Sequence, residues 1–207
     1  MDVMDFFQDN MSLIDNNKLT IPKEILLDLA RESIKTYLVT GKKADFSNLV
    51  KVYPEISASY GSFVTVCIDG LLRGCVGKLE GEKPIYQDII DNAIDAAFND
   101  IRFPPVKAEE LDTLHLEISI LGKLNRLEYK NENYLLKKLA KEKVGVVLIY
   151  MGKKATLLPQ VWEKVSDPKQ FLAELTMKAG FTNDVWKEED CRLLTYQAYI
   201  IKDCQSP

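Results

Sequence analysis

Histidine is almost missing from this 207-residue chain: His115 is the only one. A single imidazole makes any histidine-based metal centre weak. Cysteine is scarce as well. Cys67, Cys75, Cys191 and Cys204 are scattered, with no C-x-x-C pair and no metal-ligand spacing, so neither a metal site nor a disulfide framework is expected. No apolar run approaches the roughly 18 residues needed to cross a bilayer. The acidic start Met1-Asp2-Val3-Met4-Asp5 lacks the basic and apolar regions of a signal peptide. The expected setting is the reducing cytoplasm, with free thiols and no membrane contact. Positive charge is not in excess: 27 Lys and Arg face 31 Asp and Glu, for a net charge of −4 and a pI near 5.2. That excludes nucleic-acid binding by bulk electrostatics and leaves room for a local basic pocket. The common catalytic and nucleotide-binding signatures are missing too: there is no G-x-G-x-x-G, P-loop, G-x-S-x-G or H-E-x-x-H.

What is present is an ordinary globular mixture, 46% hydrophobic and 28% charged, able to bury a core without staples. The chain reads as a single domain over 1–207. A helix is predicted over about 21–40, with Thr20 as N-cap, Pro22 in the first turn and Gly41 as the stop. Ile25, Leu26, Leu29, Ile34 and Leu38 make its apolar face. Residues 63–68, rich in β-branched side chains, read as a strand. Asp69-Gly70 reads as a two-residue hairpin turn, and 71–79 as the return strand. Pro84 opens a helix that Pro104-Pro105 forbids to continue. Residues 114–121 alternate apolar and polar, the mark of a half-buried strand.

The pattern then recurs. Residues 144–150 form an apolar strand, Gly152 a turn, 155–158 the return, Asp167-Pro168 the start of a helix ended by Gly180, and 193–201 a last strand. Gly70 and Gly152 lie 82 residues apart, and the same shift sets Leu114 over Tyr196. Halves near 61–121 and 144–202 therefore read as an internal duplication of strand-strand-helix-strand. The predicted class is α+β: one curved, mostly antiparallel sheet with flanking helices.

Candidate chemistry centres on Leu72-Arg73-Gly74-Cys75-Val76-Gly77. A tight turn at 69–70 pairs Ile68 with Leu71, Val66 with Arg73 and Val64 with Cys75. Arg73 then falls on a covered apolar face, where it needs a carboxylate, Glu117 first and Asp100 second. Gly74 and Gly77 permit a bulge or a close approach by backbone or ligand. A thiol beside a guanidinium is the more reactive for it, whereas the commonest fate of a lone cysteine is to pack as a small hydrophobe. Asp100 and Arg102 form a local pair that fixes their loop or adds charge beside an anion site. His115, Glu117 and Ser119 share one strand face, and Gln160 follows Leu158-Pro159.

These motifs carry a resemblance. Gly61-Ser62-Phe63-Val64-Thr65, the L-R-G-C-V-G run, Asn92-Ala93 to Ala96-Ala97-Phe98-Asn99-Asp100, Arg102-Phe103-Pro104-Pro105, Leu116 through Leu121, Leu158-Pro159-Gln160-Val161 and Lys178-Ala179-Gly180 occur in that order. The ordered set resembles the AMMECR family, whose signature is L-R-G-C-[IV]-G. The resemblance implies a cytoplasmic or nuclear protein with a duplicated arrangement around one curved sheet and a cleft at the signature. It also implies a shared pathway, a modification reaction, with Memo-like and radical-SAM proteins. It names no reaction and no cofactor. Two functions stay open. In an enzyme, Cys75 acts as nucleophile or redox thiol, Arg73 and Arg102 hold a small anionic or nucleotide-like substrate with Gly74, Gly77, Asp100 and Gln160 around it, and Glu117 orients Arg73. In a non-catalytic adaptor or ligand-binding module, the signature shapes a partner surface and Cys75 packs.

Overall fold

The computed structural model describes residues 13–15 and 18–203, so Cys204 lies outside the described residues. Leu26, Leu29, Ala30 and Ile34 recur at helical spacing and become the buried stripe of α1 (Lys23–Thr40). The helix starts later than its sequence suggests. Pro22 is the cap residue, and Thr20 instead donates its hydroxyl to the Leu13 carbonyl at 3.1 Å. Gly41 closes the helix as expected, at φ 67°, with its N–H on the Tyr37 carbonyl. A two-stranded ribbon, β1 (Ile14–Asp15) with β2 (Lys18–Leu19), precedes α1, and the short α2 (Ser47–Val52) follows it.

Two four-stranded sheets carry the fold. The first contains β3 (Ser62–Ile68), β4 (Leu71–Lys78), β5 (Leu114–Leu121) and β10 (Ala198–Lys202), in the order β10-β5-β3-β4. The second contains β6 (Asn125–Arg126), β7 (Gly145–Tyr150), β8 (Lys153–Leu157) and β9 (Arg192–Tyr196), in the order β6-β9-β7-β8. The mixed helix-and-strand class with antiparallel sheets holds, but one continuous sheet does not form. Residues 193–201, read above as one strand, are two strands belonging to different sheets. The break is at Gln197, whose carbonyl leaves the ladder to accept the Gly122 N–H at 2.8 Å.

Each sheet has its own core. Val64, Val66, Leu116 and Ile118 pack with α1 and with α3 (Ile85–Ile94), while Val146, Leu148 and Leu193 pack with α4 (Glu132–Glu142) and α5 (Pro168–Lys178). In the second core Trp162 stacks on Phe171 with ring centroids 3.9 Å apart. The chain accordingly divides into two compact units, one of residues 1–121 with 199–207 and the other of 122–198. Among the described residues no helix is long and apolar enough to cross a membrane, and no group of three or more His, Cys, Asp or Glu side chains is arranged to hold a metal ion.

The recurrent pattern has a structural counterpart. In both sheets the third strand of a half lies beside its first, and the first beside its second, with an extra strand outside the third. The hairpin turns match as well: Asp69 and Gly70 have φ of 50° and 77°, Met151 and Gly152 have 46° and 74°. Both are turns of the primed type that suits a twisted hairpin. Past the helices the shift is not 82. Leu116 faces Val66 and Leu193 faces Leu148, so these positions are 77 apart and Leu114 corresponds to Cys191 rather than Tyr196. Because a β-carbon at Gly70 or Gly152 meets nothing within 4 Å, substitution there tests backbone strain alone. Gly70→Ala and Gly152→Ala are each expected to lower stability by about 1–2 kcal/mol in urea unfolding. A substitution that is silent at either position contradicts the turn conformation described here.

Candidate functional site

The signature lies on β4, the outer strand of the first sheet. Its register is not the one a simple hairpin gives. Ile68 faces Leu71 and Cys67 faces Leu72, but Val66 faces Gly74 and Thr65 faces Cys75, with the irregularity between Val66 and Cys67. Arg73 is the extra residue of a bulge. A one-residue slip moves every later side chain to the opposite face. Cys75 therefore leaves the core face of Val64 and Val66 and joins the half-buried face of Thr65 and Cys67. There the Thr65 hydroxyl donates to the Cys75 sulfur at 3.3 Å.

The two signature glycines are set by close packing. A β-carbon on Gly74 would lie 1.8 Å from the Ala96 carbonyl oxygen, and one on Gly77 would lie 2.2 Å from the Ser62 carbonyl oxygen. Ala96 belongs to a π-helical turn, Asp95–Asn99, that continues α3 and presses its backbone onto β4.

Beyond that turn, Asp100 and Arg102 reach the outer edge of β4. Asp100 accepts the Cys75 main-chain N–H at 3.0 Å, and Arg102 donates to the Cys75 carbonyl at 3.1 Å. The two side chains are joined by a fork, Nη2 to Oδ2 at 2.6 Å and Nε to Oδ1 at 2.9 Å. The Asp100 carboxylate is buried, and its pKa is held well below the ordinary range, first by the Arg102 hydrogen bonds and then by main-chain N–H groups. The same fork raises the Arg102 pKa.

Arg73 is largely covered, as expected, but its carboxylate is not Glu117 or Asp100. It donates to the carbonyls of Pro104 and Pro105, the latter at 3.2 Å, and meets Glu110 at 3.3 Å. The bulge is the reason: it turns Arg73 away from β5 and toward the loop beyond Pro105. Glu110 also accepts the Lys107 N–H at 2.8 Å. Its only sequence signal was that spacing near the start of a helical turn. Glu117 pairs instead with Lys202 at 2.8 Å. His115 Nδ1 lies 3.4 Å from Asp203, which also binds Arg31 and accepts the Leu116 N–H at 3.0 Å. Cys75, Arg73, Gly74, Gly77, Asp100 and Arg102 are thus brought together. Glu117 stands across β3 from Cys75, with Thr65 between them. Gln160 sits in the second unit, in a turn at Pro159–Glu163. Thr65 was missed because its place depends on the bulge.

Two outcomes follow. Gly74→Ala must displace the Ala96 backbone and is expected to cost about 3 kcal/mol, the upper end of the usual overpacking range, read by denaturant unfolding. Asp100→Asn is expected to cost about 1.5–3 kcal/mol at neutral pH. Because the folded pKa of Asp100 is depressed, its contribution is complete above the unfolded value of about 3.9 and is lost as pH falls below that. The stability gap between parent and Asp100→Asn should therefore stay constant down to about pH 5 and shrink below about pH 4.

Comparison with known proteins accords with the motifs. The family model described as AMMECR1 matches residues 27–201. Protein MK0488 of Methanopyrus kandleri is 32% identical over 191 residues, covering 90% of this chain and 91% of its own. Protein MJ0810 of Methanocaldococcus jannaschii is 33% identical over 180 residues, covering 85% and 87%. The crystal structure of the uncharacterised protein PH0010 from Pyrococcus horikoshii is similar with a TM-score of 0.81 at 34% identity, over 89% of this chain and 92% of that one. A signature strand clamped at Cys75, inside a fold shared with these relatives over nearly their whole length, makes this chain a member of the AMMECR1 family.

Proposed function

We propose that the signature is a scaffold, and that the protein is a non-catalytic, cytoplasmic binding module. It presents the half-buried face of the first sheet, with Cys75 and Thr65 at its centre, to a ligand or partner. Memo-like and radical-SAM proteins are the partner candidates that the family resemblance suggests. The recurrence of strand order and turn geometry supports an internal duplication as the origin of the two halves.

The observation that carries this reading is that both arginines are engaged internally, Arg73 by Glu110 and two proline carbonyls, Arg102 by Asp100 and the Cys75 carbonyl. An anionic substrate would have to displace a carboxylate from either one. A cysteine nucleophile is activated by a base in reach or by an unengaged positive charge beside it. The group bonded to the Cys75 sulfur is a hydroxyl donor, and the His115 imidazole is engaged with Asp203.

A second reading, Cys75 as nucleophile, is favoured by that same Thr65 contact, since a donor to sulfur stabilises developing negative charge. Alkylation kinetics separate the two. Iodoacetamide at pH 7.5 should label Cys75 no more than about tenfold faster than free glutathione, with sites resolved by peptide mass spectrometry. Cys191, buried and pushed up to about 11 by that burial, should stay unlabelled. A Cys75 rate beyond that tenfold limit would favour the nucleophile and end the scaffold reading.

A further inference from the structure

A cavity of about 360 Å³ opens in the second unit, between residues 126–129 and 189–193. It lies within the roughly 300–1,000 Å³ range of small-molecule sites. The chain builds it at the outer strand of the second sheet. Arg126 faces Leu194 across the ladder, and the Leu127 N–H continues the pairing to the Leu193 carbonyl at 2.9 Å. Alternation along the strands sends Leu127 and Leu193 into the core and leaves Arg126, Glu128 and Arg192 exposed. Cys191 and Tyr129 also line the cavity. The Cys191 thiol is buried, and the Tyr129 hydroxyl donates to the Trp186 carbonyl at 3.1 Å. Burial raises the pKa of both groups, so both stay neutral near neutral pH.

Four of the side chains that line the cavity are charged, two of each sign. Arg126, Glu128, Glu189 and Arg192 line one cavity and are exposed, yet none of them makes an ion pair or a side-chain hydrogen bond with another described residue. Two cations and two anions that hold apart around one cavity complement a molecule carrying both signs. We propose that this cavity binds a small zwitterion of the α-amino-acid type. The guanidinium forks of Arg126 and Arg192 take its carboxylate, for which their planar donors are suited, and Glu128 and Glu189 take its ammonium group. This site is independent of the signature, which belongs to the first unit.

The test is a titration of the isotope-labelled full chain with a panel of free amino acids up to about 20 mM, followed by amide NMR. Their N-acetyl and carboxamide derivatives, each lacking one charge, and inorganic phosphate serve as comparison probes. At least one free amino acid should shift the Leu127, Cys191 and Leu193 amides saturably. Removing either ligand charge, or introducing Arg192→Gln or Glu189→Gln, should weaken binding by about tenfold or more while urea unfolding stays that of the parent. The proposal is overturned if no zwitterion of the panel binds. It is equally overturned if phosphate or an N-acetylated derivative binds as well as the free amino acid, or if both variants bind like the parent.

Discussion

The peptide groups of Cys75 face outward from the last strand of a sheet, where no further strand can satisfy them. A buried main-chain N–H or C=O without a partner is costly. Here the carboxylate of Asp100 takes the N–H and the guanidinium of Arg102 meets the C=O, so two side chains substitute for a neighbouring strand. Their mutual fork keeps the pair rigid and the carboxylate ionised. Once this loop is fixed, the carbonyls of Pro104 and Pro105 stand where Arg73 can bond them, and Glu110 completes that second clamp. The arrangement also protects an edge that would otherwise be open to unwanted strand pairing.

The same constraint explains the composition of the signature. Gly74 is required by the π-helical turn at Ala96, which must approach closely if the loop after it is to reach the strand edge. Gly77 lets the hairpin partner pass at Ser62 and Phe63. Arginine, glycine and cysteine in one short run suggest chemistry when read as a string. In three dimensions the arginine and the glycines serve the fit of one strand to one loop, and only the thiol is left facing outward beside Thr65.

The two units repeat a strand order and a turn, yet their inner surfaces differ in kind. The first is packed mainly by aliphatic side chains such as Ile34, Ile89 and Ile118, whereas the second adds Trp162, Trp186 and Phe171. The cavities and charges differ accordingly. The clamped cysteine of the first unit has no counterpart in the second, where Thr156 stands at the matching place. Leu116 and Leu193 occupy matching positions, whereas Arg73 has no counterpart: Val66 faces Gly74 past the bulge, and the matching Leu148 faces Ala155 with no residue skipped.

Near-neighbour interactions were readable in the chain itself. The Asp69-Gly70 turn, the Gly41 stop and the Asp167 cap all depend on residues within a few positions, and the structure contains each of them, whereas the alternation of β5 holds only through Glu117, with Ser119 and Leu121 buried like their neighbours. The ordered motifs likewise sufficed to identify the family. What the chain did not disclose rests on partners distant in sequence. The bulge beside Val66 moves Cys75 from the core face to the outer one. Glu110 rather than Glu117 meets Arg73, and Gln197 divides an apparently continuous strand between two sheets. Local propensity sets the conformation of a segment, but which ladder its N–H and C=O groups join, and so which face each side chain takes, is decided only when remote segments compete for those groups in the packed protein.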